Sequence, residues 1–251
     1  MSTPLLQVSN ISKRFGGVQA VDSVGFKVES GELLGIIGPN GSGKTTLVNL
    51  ISGFIRADSG QVLFRDQDIT SLPPYRISQL GLARTFQMVR PFYHLPAFKN
   101  MIIPLYSPRV KQQLGGKYGD RDAIAKDLLE EVGFERDSAV INKVASVLPH
   151  GYLKRLELAK CIALQPDLII LDELFSGLSL AEVAGILPVI EKLMVEGKTI
   201  IMIEHRLREL FRIAHRVVVL NFGQKIAEGK PEQVMQGEEV RKAYLGTETE
   251  G

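Results

Sequence analysis

Only one of the 251 residues, Cys161, is a cysteine. That scarcity excludes an internal disulfide and any cysteine-based metal cluster. Cys161 stands beside Ile162 and Ala163 in a helical pattern, where a thiol serves as buried filler. Charge of one sign is also missing: 30 Lys and Arg balance 28 Asp and Glu, for a formal net charge of +2. No broad basic footprint for nucleic acid results. No apolar run approaches the roughly 18 residues that span a bilayer, and the basic-then-apolar layout of a secretory leader is not seen at the start. The expectation is a cytosolic protein, attached to a membrane only through partners. His94, His150 and His215 lack metal-ligand spacing, and no internal repeat or low-complexity stretch stands out. What is present is 45% apolar and 23% charged residues, enough for a sizeable core. The length suits one large domain or a core with an inserted subdomain.

The most informative stretch is Gly38-Pro39-Asn40-Gly41-Ser42-Gly43-Lys44-Thr45-Thr46. It follows the apolar run Leu33-Leu34-Gly35-Ile36-Ile37 and precedes Leu47-Val48-Asn49-Leu50-Ile51, which is apolar at helical spacing. Strand, glycine-rich turn and helix start are the context of a phosphate-binding loop. Glycines let backbone N–H groups point inward, and the helix start adds partial positive charge. Lys44 suits the β- and γ-phosphates of a nucleoside triphosphate, and the Thr45 hydroxyl suits Mg²⁺.

Around this loop the chain reads as α/β. Leu5–Val8, Val24–Val28 and Gln61–Phe64 read as short strands with turns between them. Leu82–Phe86 is a further strand, and Pro73-Pro74 opens a short helix. From Met88 to Leu148, Pro91, Pro96, Pro104 and Gly115-Gly116 break the chain, and no strand alternation is evident. A helix there is capped by Asp120 or Asp122, carries Ile124, Leu128 and Val132 on one face, and closes at Gly133. Leu168–Leu171, Thr199–Ile203 and Val217–Leu220 are unbroken apolar runs, as in strands covered on both faces. A helix begins at Ser179, with Glu182 completing a capping box, and Pro188 predicts a kink or break near Leu187. Asn221-Phe222-Gly223-Gln224 reads as a hairpin turn, and the chain from Pro231 as one or two polar helices. The boundaries expected are 1–87 for the nucleotide-binding core, 88–148 for a helical subdomain, 149–230 for the core continued and 231–251 for a helical tail.

Asp172 and Glu173 end a buried strand pattern, which places two acids at the carboxyl edge where doubly wound sheets bind ligands. Asp172 is suited to hold Mg²⁺, directly or through water. Glu173 is suited to polarise the water that attacks a γ-phosphate. Gln87 and His205 each follow a strand. Taken alone, either is more often a structural polar residue than a contact to metal, water or phosphate. Phe15, an aromatic beside Gly16-Gly17, offers a stacking surface for adenine, although a hairpin aromatic is the commoner role.

In this order, these positions resemble the ATP-binding subunit of an ABC transporter over nearly the whole chain. The resemblance implies a P-loop NTPase fold of ABC type, with a mostly parallel core sheet, an N-terminal antiparallel β part and an inserted helical subdomain. It implies that Phe15 stacks on adenine and that Gly38 to Thr46 is the Walker A loop, with Asn40, Gly41, Ser42, Gly43, Lys44, Thr45 and Thr46 at the nucleotide. Gln87 matches the Q-loop glutamine, Asp172 the Walker B aspartate, Glu173 the catalytic glutamate and His205 the switch histidine. ATP and Mg²⁺ are the cofactors implied, with Thr45, Gln87 and Asp172 toward the metal. Within the family, Arg14-Phe15-Gly16-Gly17-Val18, Gly81-Leu82-Ala83-Arg84-Thr85-Phe86-Gln87 and Arg241-Lys242-Ala243-Tyr244-Leu245-Gly246 resemble the branched-chain amino acid uptake group. That group implies a second ATPase subunit, two permease subunits, an external solute-binding protein, no nucleic acid, and a peripheral position on the cytoplasmic face of the cell membrane.

Departures accompany the resemblance. The family's Leu-Ser-Gly-Gly-Gln reads here Leu148-Pro149-His150-Gly151-Tyr152. Gly151 and the helix start remain, but the serine hydroxyl that faces the partner's γ-phosphate is lost. A missing transition-state donor costs on the order of 3 kcal/mol. Leu174 stands where proline is common, and Ser179 where the D-loop usually has aspartate. The expectation is ATP-driven closure of a heterodimer with unequal sites, the weakened one being the partner's; a homodimer is the alternative in isolation. Other readings are lipid or lipopolysaccharide export, a soluble ABC ATPase in cofactor assembly, and a DNA-linked ATPase, the last disfavoured because no long coiled-coil insertion fits.

Overall fold

Apolar runs rich in Ile, Val and Leu set the strands, and apolar residues at helical spacing set the helices. The computed structural model describes residues 3–113, 120–136 and 139–245; Gly115-Gly116 and Gly246 fall outside them. In chain order the elements are β1 (Leu6–Phe15), β2 (Val18–Val28), β3 (Leu33–Ile37), α1 (Lys44–Ile51), β4 (Ser59–Phe64), β5 (Gln67–Asp68), α2 (Pro74–Leu80) and β6 (Leu82–Arg84). Then come α3 (Ile102–Leu105), α4 (Pro108–Gln113), α5 (Arg121–Glu131), α6 (His150–Ala163), β7 (Leu168–Asp172), α7 (Leu180–Val195) and β8 (Thr199–Ile203). The chain ends in α8 (Leu207–Ile213), β9 (Arg216–Asn221), β10 (Gln224–Gly229), α9 (Pro231–Val234) and α10 (Glu238–Leu245). It divides into two units, Met1–Ile77 with Gly197–Gly251, and Ser78–Glu196.

The first unit has an antiparallel sheet in the order β2-β1-β4-β5, with Leu6 opposite both Val28 and Phe64. β1 and β2 run further than the apolar pattern suggests, because backbone pairing continues through the polar residues as far as Phe15 and Val18. A second set of strands runs β10-β9-β3-β8, with β3 parallel to both β8 and β9. Every residue of β3 and β8 is buried, as unbroken apolar runs require. β9 and β10 form a hairpin through Phe222 (φ 44°) and Gly223 (φ 80°), the pair of positive dihedrals that a tight two-residue turn needs.

In the second unit β6 and β7 are parallel, with Leu82 opposite Leu168 and Arg84 opposite Ile170. Asp120 caps α5 by accepting from the N–H groups of Asp122 and Ala123. The stripe that α5 buries is Arg121, Ala125, Leu129 and then Val132, one position round from the expected Ile124 and Leu128. The aliphatic stem and ring-stacked head of Arg121, over Tyr106 at 4.7 Å, take a place that apolar periodicity assigns to Ile124. Of the kink or break expected at Pro188, the break does not occur: α7 passes the proline as one helix. Burial of Val183, Ile186, Leu187, Val189, Ile190 and Leu193 holds both sides of the proline in register, offsetting the lost backbone bond.

The α7 start is a complete capping box. Ser179 Oγ accepts from the Glu182 N–H, and Glu182 Oε2 accepts from the Ser179 N–H at 2.8 Å. These bonds to Ser179 hold the Glu182 carboxyl below its ordinary 4.5. A depressed carboxylate pKa stabilises the fold above its unfolded value and loses that effect as pH falls through the folded one. Ser179→Ala is expected to cost about 1 kcal/mol near neutral pH, lowering the melting temperature by about 2–4 °C. The difference from wild type should shrink below pH 4.5. Thermal denaturation at several pH values measures both.

Candidate functional site

In the first unit, β3 delivers the chain into the loop and α1 takes it up. Gly38, Gly41 and Gly43 have φ of 150°, 77° and 100°. At Gly43 a Cβ would lie 2.4 Å from the Ala20 carbonyl, and at Gly38 2.1 Å from the Leu220 carbonyl. Only glycine satisfies both the dihedral and the approach at these two positions. The Gly223 N–H donates to the Ser42 carbonyl at 3.0 Å, so the β9–β10 turn braces the loop. Lys44 is buried, and its Nζ donates to the carbonyls of Gly38 (2.8 Å) and Pro39 (2.9 Å). Asn40, Gly41 and Thr45 are exposed, Gly43 and Thr46 half-buried, and Ser42 buried.

Phe15 ends β1, is 47% exposed, and has Lys13 Nζ 5.5 Å from its ring centre. His205 is exposed in the turn between β8 and α8. Tyr244, in the sequence only part of a family-like stretch, takes a place of its own beside the loop. Its hydroxyl lies against the Gly38 amide, and burial pushes the phenol up to about 12 despite the opposing pull of that N–H. A cavity of about 390 Å³ lies beside it, between the outer side of the loop and Glu239, Lys242 and Ala243 of α10.

In the second unit Asp172 and Glu173 close β7, both buried. Asp172 Oδ2 accepts from Arg84 Nη2 at 2.7 Å, a pair whose side chains are 6% and 3% exposed. The Asp172 N–H donates to Thr85 Oγ1. Glu173 takes a left-handed backbone (φ 49°), unusual for a residue with a Cβ and a recurrent feature of functional positions. Gln87 Nε2 donates to Glu173 Oε2 at 2.6 Å. Lys154 of α6, 1% exposed, donates to the carbonyls of Gln87 (2.9 Å) and Glu173 (3.1 Å). Gln87, Asp172 and Glu173 thus meet, joined by Arg84 and Lys154, two cations that sequence reasoning missed. A lysine inside a helical pattern reads as solvent-facing, and the alternation of β6 gives Arg84 no distinguishing mark.

The segment Leu148 to Tyr152 starts α6. Pro149 is the residue before the helix and supplies no side-chain cap. His150 is exposed, with Nε2 3.3 Å from the Ser176 carbonyl. Gly151 leaves the room that Glu182 fills, since a Cβ there would lie 2.2 Å from Glu182 Oε1. Leu148 is buried, and the Tyr152 ring packs edge-on against Phe134 at 4.9 Å. Cys161 is buried on the same helix, and burial pushes its thiol up, away from reactivity. Among the described residues no group of three or more His, Cys, Asp or Glu is arranged to hold a metal ion.

The ABC transporter family model matches residues 21–176. The chain belongs to the ABC transporter family. A further model, the branched-chain amino acid ATP-binding cassette transporter, matches residues 224–250. Among curated proteins, the chain is 36% identical to the high-affinity branched-chain amino acid transport ATP-binding protein BraF of Pseudomonas aeruginosa, covering 98% of this chain and 99% of BraF. It is 35% identical to the equivalent protein LivG of Escherichia coli over the same shares, and 32% identical to the E. coli lipopolysaccharide export ATP-binding protein LptB, over 96% and 97%. A solved ATP-binding cassette in its ADP conformation superposes with a TM-score of 0.82 at 31% identity, covering 98% of this chain and all of that one. As an ABC cassette with the α/β P-loop NTPase fold, the chain is an ATPase and a nucleotide-binding transporter subunit. No helix among the described residues is long and apolar enough to cross a membrane.

The loop geometry yields a direct expectation. Gly43→Ala sets a methyl against the Ala20 carbonyl, so affinity for a fluorescent ATP analogue should fall by at least about tenfold, or 1.4 kcal/mol. An unchanged dissociation constant would show that the nucleotide does not need this wrap.

Proposed function

We propose that the chain is the ATP-hydrolysing subunit of an importer for branched-chain or other hydrophobic amino acids, held peripherally on the cytoplasmic face of the cell membrane by permease subunits. The match of residues 224–250 to the branched-chain group carries this reading. BraF and LivG, whose names specify branched-chain amino acid transport, support it across nearly the full chain.

In the mechanism, the phosphates of ATP lie in the loop from Gly38 to Thr46 with adenine on Phe15. Lys44 exchanges its bonds to Gly38 and Pro39 for the β- and γ-phosphates. Glu173 takes a proton from water as the water oxygen attacks the γ-phosphorus, the bond to the β-phosphate oxygen breaks, and ADP departs. The hydrogen bond from Gln87 occupies the Glu173 carboxylate, so movement of Gln87 releases the base. His205 donates to the γ-phosphate. Thr45 in the first unit, and Gln87 and Asp172 in the second, each carry a hard oxygen donor suited to Mg²⁺, which when bound would neutralise charge on the phosphates.

Two subunits close head to tail around ATP. Each completes the other's site with the start of its α6 helix, and this chain's contribution lacks the serine hydroxyl. His150 turns back on its own chain, with Nε2 3.3 Å from the Ser176 carbonyl. The partner is therefore a different ATPase subunit with the stronger signature, and the two sites work unequally. Lipopolysaccharide or lipid export is the second reading, favoured by the likeness to LptB.

Glu173→Gln should leave ATP binding intact while slowing phosphate release by at least about tenfold, a modest part of what a general base supplies. Near-normal turnover would remove Glu173 from that role. Pro149→Ser in the assembled complex should raise turnover at the partner's site; no change would mean the missing hydroxyl does not limit it. Substrate is read by co-purifying the complex, identifying its solute-binding protein, and titrating that protein with leucine, isoleucine and valine. Failure to retain any of them, or recovery of lipid-handling subunits, would overturn the uptake reading.

A further inference from the structure

The α6 helix presents Lys154, Glu157 and Lys160 at three-residue spacing, and all three grip the segment from Gln87 to Arg90. Lys154 Nζ donates to the Gln87 carbonyl, Glu157 Oε1 accepts from the Arg90 N–H at 3.0 Å, and Lys160 Nζ donates to the Arg90 carbonyl at 3.2 Å. Glu157 and Lys160 also pair with each other at 2.8 Å. Lys154 differs from the other two because it also reaches the Glu173 carbonyl. It is among the most deeply buried large side chains of the unit. A cation with so little access to water is tolerated only where protein dipoles replace its hydration.

The Glu173 peptide it holds has the left-handed backbone. Such a conformation costs of order 1–3 kcal/mol and persists where the surroundings over-determine it. A charge-assisted bond to that residue's carbonyl is one such determinant. The same ammonium fixes the peptide that follows the Gln87 side chain, and Gln87 and Glu173 are themselves bonded at 2.6 Å.

We propose that Lys154 is a positioning residue that ties the start of α6 to both Gln87 and Glu173, holding Glu173 in its left-handed conformation and transmitting movement of α6 to the pair. Lys154 acts through those two residues and is not itself catalytic. The inference rests on the ATPase reading for its effect on turnover, but its structural part stands apart from it.

The test compares Lys154→Met, Lys154→Gln, Lys154→Arg and Lys160→Met in the full chain. Hydrogen exchange is followed at the amides of Arg90, which donates to Glu157 Oε1 next to the segment that Lys154 holds, and of Ser176, which donates to the same Glu173 carbonyl as Lys154. Lys154→Met should speed exchange at both by at least about tenfold while the distal turns of α6 keep their protection. In the complex pulled down through a tag on this chain, kcat should fall by at least about tenfold, with KM for ATP within about twofold, since misplacing a reacting group costs rate rather than affinity. Lys154→Arg, with donors for both carbonyls, should restore much of that loss. Lys160→Met, which releases only Arg90, should leave kcat near wild type. Should the methionine variant not fold, Lys154→Gln carries the same expectations in weaker form. Unchanged exchange at Arg90 and Ser176 in a folded variant overturns the proposal, as does a uniform rise in exchange along α6 with equal losses in kcat and ATP affinity. A wild-type complex that releases no phosphate would instead sink the ATPase reading, and the exchange result would still decide the role of Lys154.

Discussion

The first unit depends on a loop wound so tightly that two of its residues admit no side chain. A Cβ at Gly38 would meet the Leu220 carbonyl and one at Gly43 the Ala20 carbonyl, so β9 and β2 set the outer wall of the wrap. The β9–β10 turn braces it through Gly223, and Lys44 fills its interior by bonding two loop carbonyls. The buried strands β3 and β8 and the length of α1 all serve to present this short backbone path. Helix α10 touches it from outside through Tyr244, which links the region matched by the branched-chain group to the phosphate loop itself.

The second unit is built on charge rather than on close backbone approach. Buried carboxylates are costly unless paired, and here Asp172 has Arg84, while Gln87 bonds Glu173. Lys154 adds a buried cation that two backbone carbonyls solvate. Such a network is intolerant of partial loss, because each removed partner leaves another group buried and unsatisfied. The same helix begins at Pro149, where a side-chain cap is lacking. The unit thus combines a well-determined set of residues around Glu173 with a helix start that lacks a side-chain cap.

Much of this was legible in the sequence because it depends on local rules. The phosphate loop, the capping box at Ser179, the hairpin at Asn221 to Gln224 and the buried strands follow from glycine placement, capping chemistry and unbroken apolar runs. The features that escaped are those set by tertiary contact. Lys154 and Arg84 carry charge at buried positions, which composition and periodicity assign to solvent. Arg121 takes a buried place on α5 by stacking on Tyr106, displacing the expected stripe by one position. Of the kink or break that Pro188 predicts, packing on both sides of α7 prevents the break. The left-handed backbone of Glu173 is likewise invisible in residue types, since nothing local demands it.

In the proposed complex, two unequal composite sites arise because this chain brings an intact acid pair but a signature without its serine. Phosphate release by the assembled complex with the glutamate-to-glutamine change placed in one ATPase subunit at a time measures this most directly. Changing Glu173 in this chain should remove most turnover, whereas the corresponding change in the other ATPase subunit should remove little. Equal losses from the two changes would contradict it.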